Sequence, residues 1–150
     1  MSREERVILA NMCMVSDDDK ILVMARKSDD WPGICFPGGH IEPNESFVAS
    51  TVREVYEETG LVVSDLKLYG HQQFTMPEGY RYIIFLYKTD TFSGQLKSSE
   101  EGDVFWVKRS ELEQYQLADG FDVMLSIFED EALSENYYYL EDDNWKWKNL

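Results

Sequence analysis

The spacing of apolar and polar residues changes several times along the chain, and each change marks an element. Residues 7–15 form a nearly unbroken apolar run, short enough for a buried strand. Asp17, Asp18 and Asp19 make a turn, and residues 20–26 read as a second strand. Trp31-Pro32-Gly33 and Phe36-Pro37-Gly38-Gly39 then punctuate a loop around a short strand at 34–36. The pattern predicts a helix over 45–59, with Asn44 as N-cap and Gly60 as the residue that ends it. At about 100° per residue, Val48, Val52 and Val55 form its expected core stripe, with Ala49 and Tyr56 at the edge. Strands are expected over 66–75 and 80–89, joined at Pro77-Glu78-Gly79, and again over 104–107. Helical spacing returns at 110–115 and 121–132, whereas the aromatic and acidic segment 137–150 fits no element by its pattern. With no repeat or break in composition, this order predicts one domain over residues 1–150. Its class is α/β (α+β), a mixed sheet between helices rather than a regular parallel series.

Bulk properties narrow the partners. Hydrophobic residues make up 43% of the 150, enough for a full core. A formal net charge of −15 counts against a nucleic acid polymer, whose phosphates need basic side chains. No apolar stretch approaches the roughly 20 residues of a membrane span, and residues 1–6 lack the apolar run of a signal peptide. Cys13 and Cys35 form no CxxC pair and read as reduced core thiols, so a cytoplasmic location is expected.

Candidate chemistry concentrates on the 45–59 helix. Glu54, Glu57 and Glu58 stand at i, i+3 and i+4, opposite the expected core stripe. Carboxylates at those spacings repel one another, a cost that a hard cation such as Mg²⁺ or Mn²⁺ would relieve. An acidic solvated face would carry the same three residues, so their surroundings decide. Gly39 is followed by five residues, Glu45, seven residues, and then Arg53-Glu54-Val55-Tyr56-Glu57-Glu58-Thr59-Gly60-Leu61. Seven fixed residues at fixed spacing arise by chance with a probability on the order of 10⁻⁸ per start position. The segment resembles the Nudix box at every position, and Phe36-Pro37-Gly38-Gly39 resembles its usual entry. Phe105-Trp106-Val107 with Glu111-Leu112 is similar to the family's late strand and the turn after it.

The resemblance implies the Nudix fold and a Mg²⁺-dependent pyrophosphohydrolase (Mn²⁺ as substitute) acting on a small nucleotide. Glu57, Glu58 and the Gly38 carbonyl resemble metal ligands, and Glu54 a further ligand or the base that activates water. Some members use a glutamate outside the box, for which Glu100 and Glu101 are candidates, Glu101 being preferred. Arg53 and Glu45 read as the residues that orient the carboxylates. Arg26 and Arg81 are expected to meet an oligophosphate. Trp31, Phe36, Phe74 and Trp106 are candidate platforms for a base, with Phe36 preferred, and Asp119 is a candidate base reader that could instead cap the last helix. His40 and His71 form no metal-spacing pair.

These features are similar to the MutT type, which hydrolyses oxidised purine nucleotides such as 8-oxo-dGTP to a monophosphate and pyrophosphate. A Nudix hydrolase of ADP-ribose or dinucleotide type, and a non-catalytic nucleotide sensor, are the alternatives. The complete box counts against the sensor, and the net charge against mRNA decapping. The family also makes a homodimer an expected assembly.

Overall fold

The computed structural model describes residues 2–150. Strand β1 (Val7–Asp17) is the axis of the fold. From Val7 to Val15 it runs parallel to β6 (Arg81–Thr89), and it turns at Asp18, which has positive φ, into antiparallel β2 (Lys20–Arg26). Beyond β2 lie β3 (Gly33–Cys35) and β8 (Gly102–Lys108). Beyond β6 lie β5 (Lys67–Thr75), β9 (Glu135–Glu141) and β10 (Asn144–Asn149). The eight strands form a mixed sheet, while β4 (Leu61–Ser64) and β7 (Thr91–Gly94) make a separate two-stranded pair.

The two faces of the central strands carry different loads. Side chains alternate, so Met12, Ile84 and Leu86 share one face and Asn11, Phe85 and Tyr87 the other. Helix α2 (Phe121–Glu129) covers the first, placing Ile127 above Gly70, where a Cβ would overlap it. Helix α1 (Phe47–Thr59) covers the second: Phe47 stacks on Phe85 at 4.5 Å, and Asn11 donates to Ser50 Oγ at 2.9 Å. The expected sheet between helices is therefore the architecture found.

Several boundaries differ from the expectations. Helix α1 begins two residues late, because Asn44 sits at positive φ and Ser46 supplies the cap, accepting from the Ala49 amide. Gly60 ends it in the left-handed conformation, as its position requires. The core stripe is rotated. Val48 and Tyr56 are 45% and 57% exposed, whereas Ser50, Thr51, Val55, Glu58 and Thr59 are buried. Small hydroxyl residues let α1 lie close to the sheet. Thr51 and Thr59 bond back to carbonyls one turn earlier, and Ser50 takes the Asn11 amide. Segment 110–115 is 3-10 helix over Arg109–Gln114, and α2 stops at Glu129. The tail is a hairpin, β9 to β10, turning through Asp142 and Asp143 at positive φ and completing the sheet beside β5. Strands β4 and β7 had no sequence signal strong enough to separate them from their neighbours.

Candidate active site

The loop between β3 and α1 is held as an extra strand along the first half of β1. Asn11 and Cys13 donate to the carbonyls of Gly39 and Pro37, and Ile41 donates to Leu9. Gly38 and Gly39 are required there by contact: a Cβ at Gly38 would overlap the Asn11 carbonyl, and one at Gly39 the Glu54 carboxylate. The loop is thereby pressed between the sheet and the acidic side of α1. Gly38 donates its amide to Glu58 Oε2 at 3.3 Å, and Gly39 donates to Asn11 Oδ1 at 3.1 Å.

Arg53 organises the carboxylates. Its Nε and Nη2 grip Glu45 at 2.7 and 2.9 Å in a fork. Its Nη1 reaches Glu54 at 3.0 Å and Glu57 at 3.3 Å, and Nη2 also donates to the His40 carbonyl. The guanidinium holds the Glu45 carboxyl down at about 2, helped by the Glu42 amide. Glu54 and Glu58 are pushed the other way. Burial raises Glu54, against the pull of Arg53 and with added repulsion from Glu57 and Glu101. Burial raises Glu58 to about 8, opposed by the Gly38 amide and reinforced by Glu101 and Glu54. Glu57, with a side chain 55% exposed, faces solvent on Arg53.

The structure thus brings Gly38, Glu54, Glu58 and Glu101 into one neighbourhood. Glu101 arrives from a third element: its carbonyl accepts from Lys27 just past β2, and Gly102 pairs with Arg26. Of the two acidic candidates before β8, Glu101 is the one whose charge is felt at both Glu54 and Glu58. Among the described residues no three acidic, histidine or cysteine side chains already surround a single point. The donors nevertheless suit a hard divalent cation. They are oxygen only, they repel one another, and Glu58 is 3% exposed, where the Gly38 amide and the charge of Arg26 offset its burial only in part.

A cavity of about 570 Å³ borders this cluster at Gly38 and Gly39, and Arg26, Trp31, Phe74 and Trp145 are among its other lining residues. Arg26 lies under the Trp31 ring at 5.4 Å, donates from Nε to the Trp31 carbonyl and pairs with Asp30 at 3.6 Å. Trp31 Nε1 donates to the Asp119 carbonyl, so the 31 and 119 loops close one wall together. Asp119 reaches the cavity but caps nothing, since Gly120 occupies the N-cap of α2 without a side-chain bond.

Three expected substrate contacts are corrected. Phe36 belongs to the cavity lining but presents no open ring face: it is 1% exposed and packed edge-on against Phe121 and Phe128 at 4.8 and 5.1 Å. Trp106 packs on Phe92 and does not line the cavity. Arg81 neighbours Tyr82, which lines the cavity, and therefore points to the opposite face, where it pairs with Glu5 and Gln73. His71, for which the sequence offered no partner, meets Glu135 at 2.6 Å on that same face. Sequence reasoning missed Tyr82, Gln72, Tyr138 and Trp145, all cavity residues. Alternation along β5 and β6 carried a signal for the first two, but nothing placed the tail beside them.

The chain belongs to the Nudix family of hydrolases: the NUDIX domain family model matches residues 6–128. Within it, the chain is 30% identical over 113 residues to the Nudix hydrolase YvcI of Bacillus subtilis, covering 72% of this chain and 70% of that one. It is 34% identical over 92 residues to an ADP-ribose pyrophosphatase of Methanocaldococcus jannaschii, spanning 59% of this chain and 53% of that one. The crystal structure of the mutator MutT protein from Bacillus halodurans superimposes with a TM-score of 0.76 at 25% identity, covering 94% of this chain and 97% of the other. No helix among the described residues is long and apolar enough to cross a membrane.

Proposed function

We propose that the protein is a divalent-metal-dependent pyrophosphohydrolase of a nucleoside triphosphate, with oxidised purine nucleotides such as 8-oxo-dGTP as the leading substrate class. The observation that carries this reading is adjacency: Gly38 and Gly39 line the aromatic cavity, and the same two glycines touch the Glu58 and Glu54 carboxylates of α1. A ring held in the cavity leaves its phosphates beside Arg26, Glu54 and Glu58. Glu54, Glu58, Glu101 and the Gly38 carbonyl would hold Mg²⁺ or Mn²⁺, with Glu57 as a further donor released from Arg53. When bound, the cation supplies positive charge to the phosphates and acidifies a water.

The chain's own residues do the rest. Arg26 binds phosphate oxygen and opposes the acidity of the site. Arg53 fixes Glu45, Glu54 and Glu57 relative to one another. Glu54, raised by burial, is suited to accept a proton from the attacking water. Arg53 occupies its Oε1, leaving Oε2 for that task. Water oxygen bonds to phosphorus, the anhydride P–O bond breaks, and the products are a nucleoside monophosphate and pyrophosphate. The similarity to MutT supports this substrate class. The similarity to an ADP-ribose pyrophosphatase favours a nucleoside diphosphate-linked compound as the second reading.

The test is a panel of 8-oxo-dGTP, dGTP, ADP-ribose and a diadenosine polyphosphate with Mg²⁺, following pyrophosphate and phosphate release. Preferred turnover of 8-oxo-dGTP, lost in Glu58→Gln, is the expected result. Turnover of ADP-ribose alone would shift the assignment to the second reading, and tight binding without turnover of any would make the chain a sensor.

A further inference from the structure

Resting on the nucleotide reading above, we propose that Gln72 selects the base, by presenting a carbonyl oxygen whose orientation is locked by the C-terminal hairpin. Gln72 lies on β5 between Ile84 of β6 and Asn136 of β9, and it lines the cavity. Its Nε2 donates to Asn136 Oδ1 at 2.7 Å. Asn136 Nδ2 donates to Asn149 Oδ1 at 2.8 Å, and Asn149 Nδ2 donates to the Val123 carbonyl at 3.2 Å.

The polarity of this relay has one solution. A backbone carbonyl only accepts, so Asn149 must turn its amino group to Val123 and its oxygen to Asn136. The same constraint passes through Asn136, which is fully buried, to Gln72. Reversing any amide would set oxygen against oxygen or nitrogen against nitrogen inside the core, each a lost buried hydrogen bond. Gln72 Oε1 is what remains, and it makes no hydrogen bond within the protein. Gln72 Oε1 is not among the sealed, unpartnered side-chain atoms of the described residues, and Gln72 lines the cavity.

Two residues along the same face of β5, Phe74 stacks on Tyr82 at 5.3 Å and takes the edge of Trp145 at 6.1 Å. An aromatic wall thus stands beside a fixed acceptor, with the phosphate end of the cavity at Gly38 and Gly39. That arrangement recognises a planar nitrogen heterocycle carrying an N–H donor on its edge, either an exocyclic amino group or a lactam N–H. The relay residues Asn136 and Asn149 lie on the C-terminal hairpin, beyond residue 128, where the family-model match ends.

The experiment is equilibrium binding in EDTA, read by quenching of tryptophan fluorescence, since Trp31 and Trp145 line the cavity. The probes are dGMP and dCMP, which carry edge N–H groups, and purine riboside 5′-monophosphate, which carries none. The wild type should bind the better of the first two at least tenfold more tightly than the third. Gln72→Leu should reduce that ratio to within twofold. Asn149→Ala, which leaves Gln72 in place but unlocks it, should narrow the ratio severalfold and decides the matter if Gln72→Leu does not fold. A merely structural role for the relay would lower stability and weaken all ligands alike, leaving the ratio intact. A ratio near one in the wild type, no binding of any probe, or a ratio preserved in folded variants would overturn the inference. Base discrimination in a protein that hydrolyses no triphosphate would sink the proposed function and leave this inference standing.

Discussion

Glu58→Gln should make the metal-free protein more stable while abolishing its activity. The Glu58 carboxyl is 3% exposed and raised by burial from 4.5 to about 8. Between those values the folded protein holds a proton that the unfolded chain releases. The stability associated with this site is therefore fully present below about pH 4.5, falls as pH rises to about 8, and is flat above it. Every tenfold difference in proton affinity between the folded and unfolded chain is worth about 1.4 kcal/mol. At pH 7 the native carboxylate site thus costs about 3 kcal/mol relative to an uncharged group of its shape. Glutamine is such a group, and its Oε1 can still accept from the Gly38 amide. At about 2–4 °C per kcal/mol for a chain of this size, the variant should melt about 6–12 °C higher at pH 7 in EDTA. The two proteins should converge near pH 4.5, and the gap should reach its maximum above pH 8. Mg²⁺ should raise the wild-type Tm and leave the variant nearly unmoved. A variant no more stable than wild type at pH 8.5, or a gap independent of pH, would refute the reasoning that burial of the carboxylate outweighs the Gly38 amide and Arg26 at this position.

The remaining expectations concern the same neighbourhood and the core. Arg53→Lys keeps the charge but loses the fork on Glu45 and the branch to Glu54, so kcat should fall about 10–100-fold, comparable to losing a ligand's orienting partner. Steady-state kinetics with unchanged circular dichroism would check it. Gly39→Ala pushes on a side chain and should yield a folded protein with displaced Glu54 and little activity. Gly38→Ala pushes on the Asn11 backbone and should lower Tm by several degrees; thermal melts and kinetics of the pair separate the two outcomes. Cys13 and Cys35 are buried and pushed up to about 12, so neither should react with a thiol reagent at pH 8 until denaturant is added, when two thiols should titrate.

The elements most legible in the sequence were those whose pattern is local. The strand over residues 20–26 matches β2 at both ends, and Gly60 marked the end of α1, because a turn, a period of two and a left-handed glycine act over a few residues. The box likewise announced its own spacing, and Arg53 contacts Glu45, Glu54 and Glu57 as that spacing suggested. What stayed hidden depends on what comes to rest beside a residue. Val48 looked like core, but the side of α1 that meets the sheet carries Ser50, which takes the Asn11 amide, with Thr51, Val55 and Thr59, and Val48 is left 45% exposed. Phe36 looked like a platform, but Phe121 and Phe128 enclose it from a helix 85 and 92 positions away. Arg81 failed by one residue of alternation, the smallest error a strand allows. The tail's place depends on parallel pairing of β9 with β5, a contact no short window contains.

The parallel pairing of β1 with β6 sets the order in which this protein can be made. Residue 7 must find residue 81, so the central ladder closes only after most of the chain has left the ribosome. The Gly38–Gly39 loop hangs on that same first strand, which means the acidic centre has no backing until the ladder forms. During that interval the negative charges of α1 keep the nascent helix in water, and they become a liability only once the sheet arrives to bury one of them.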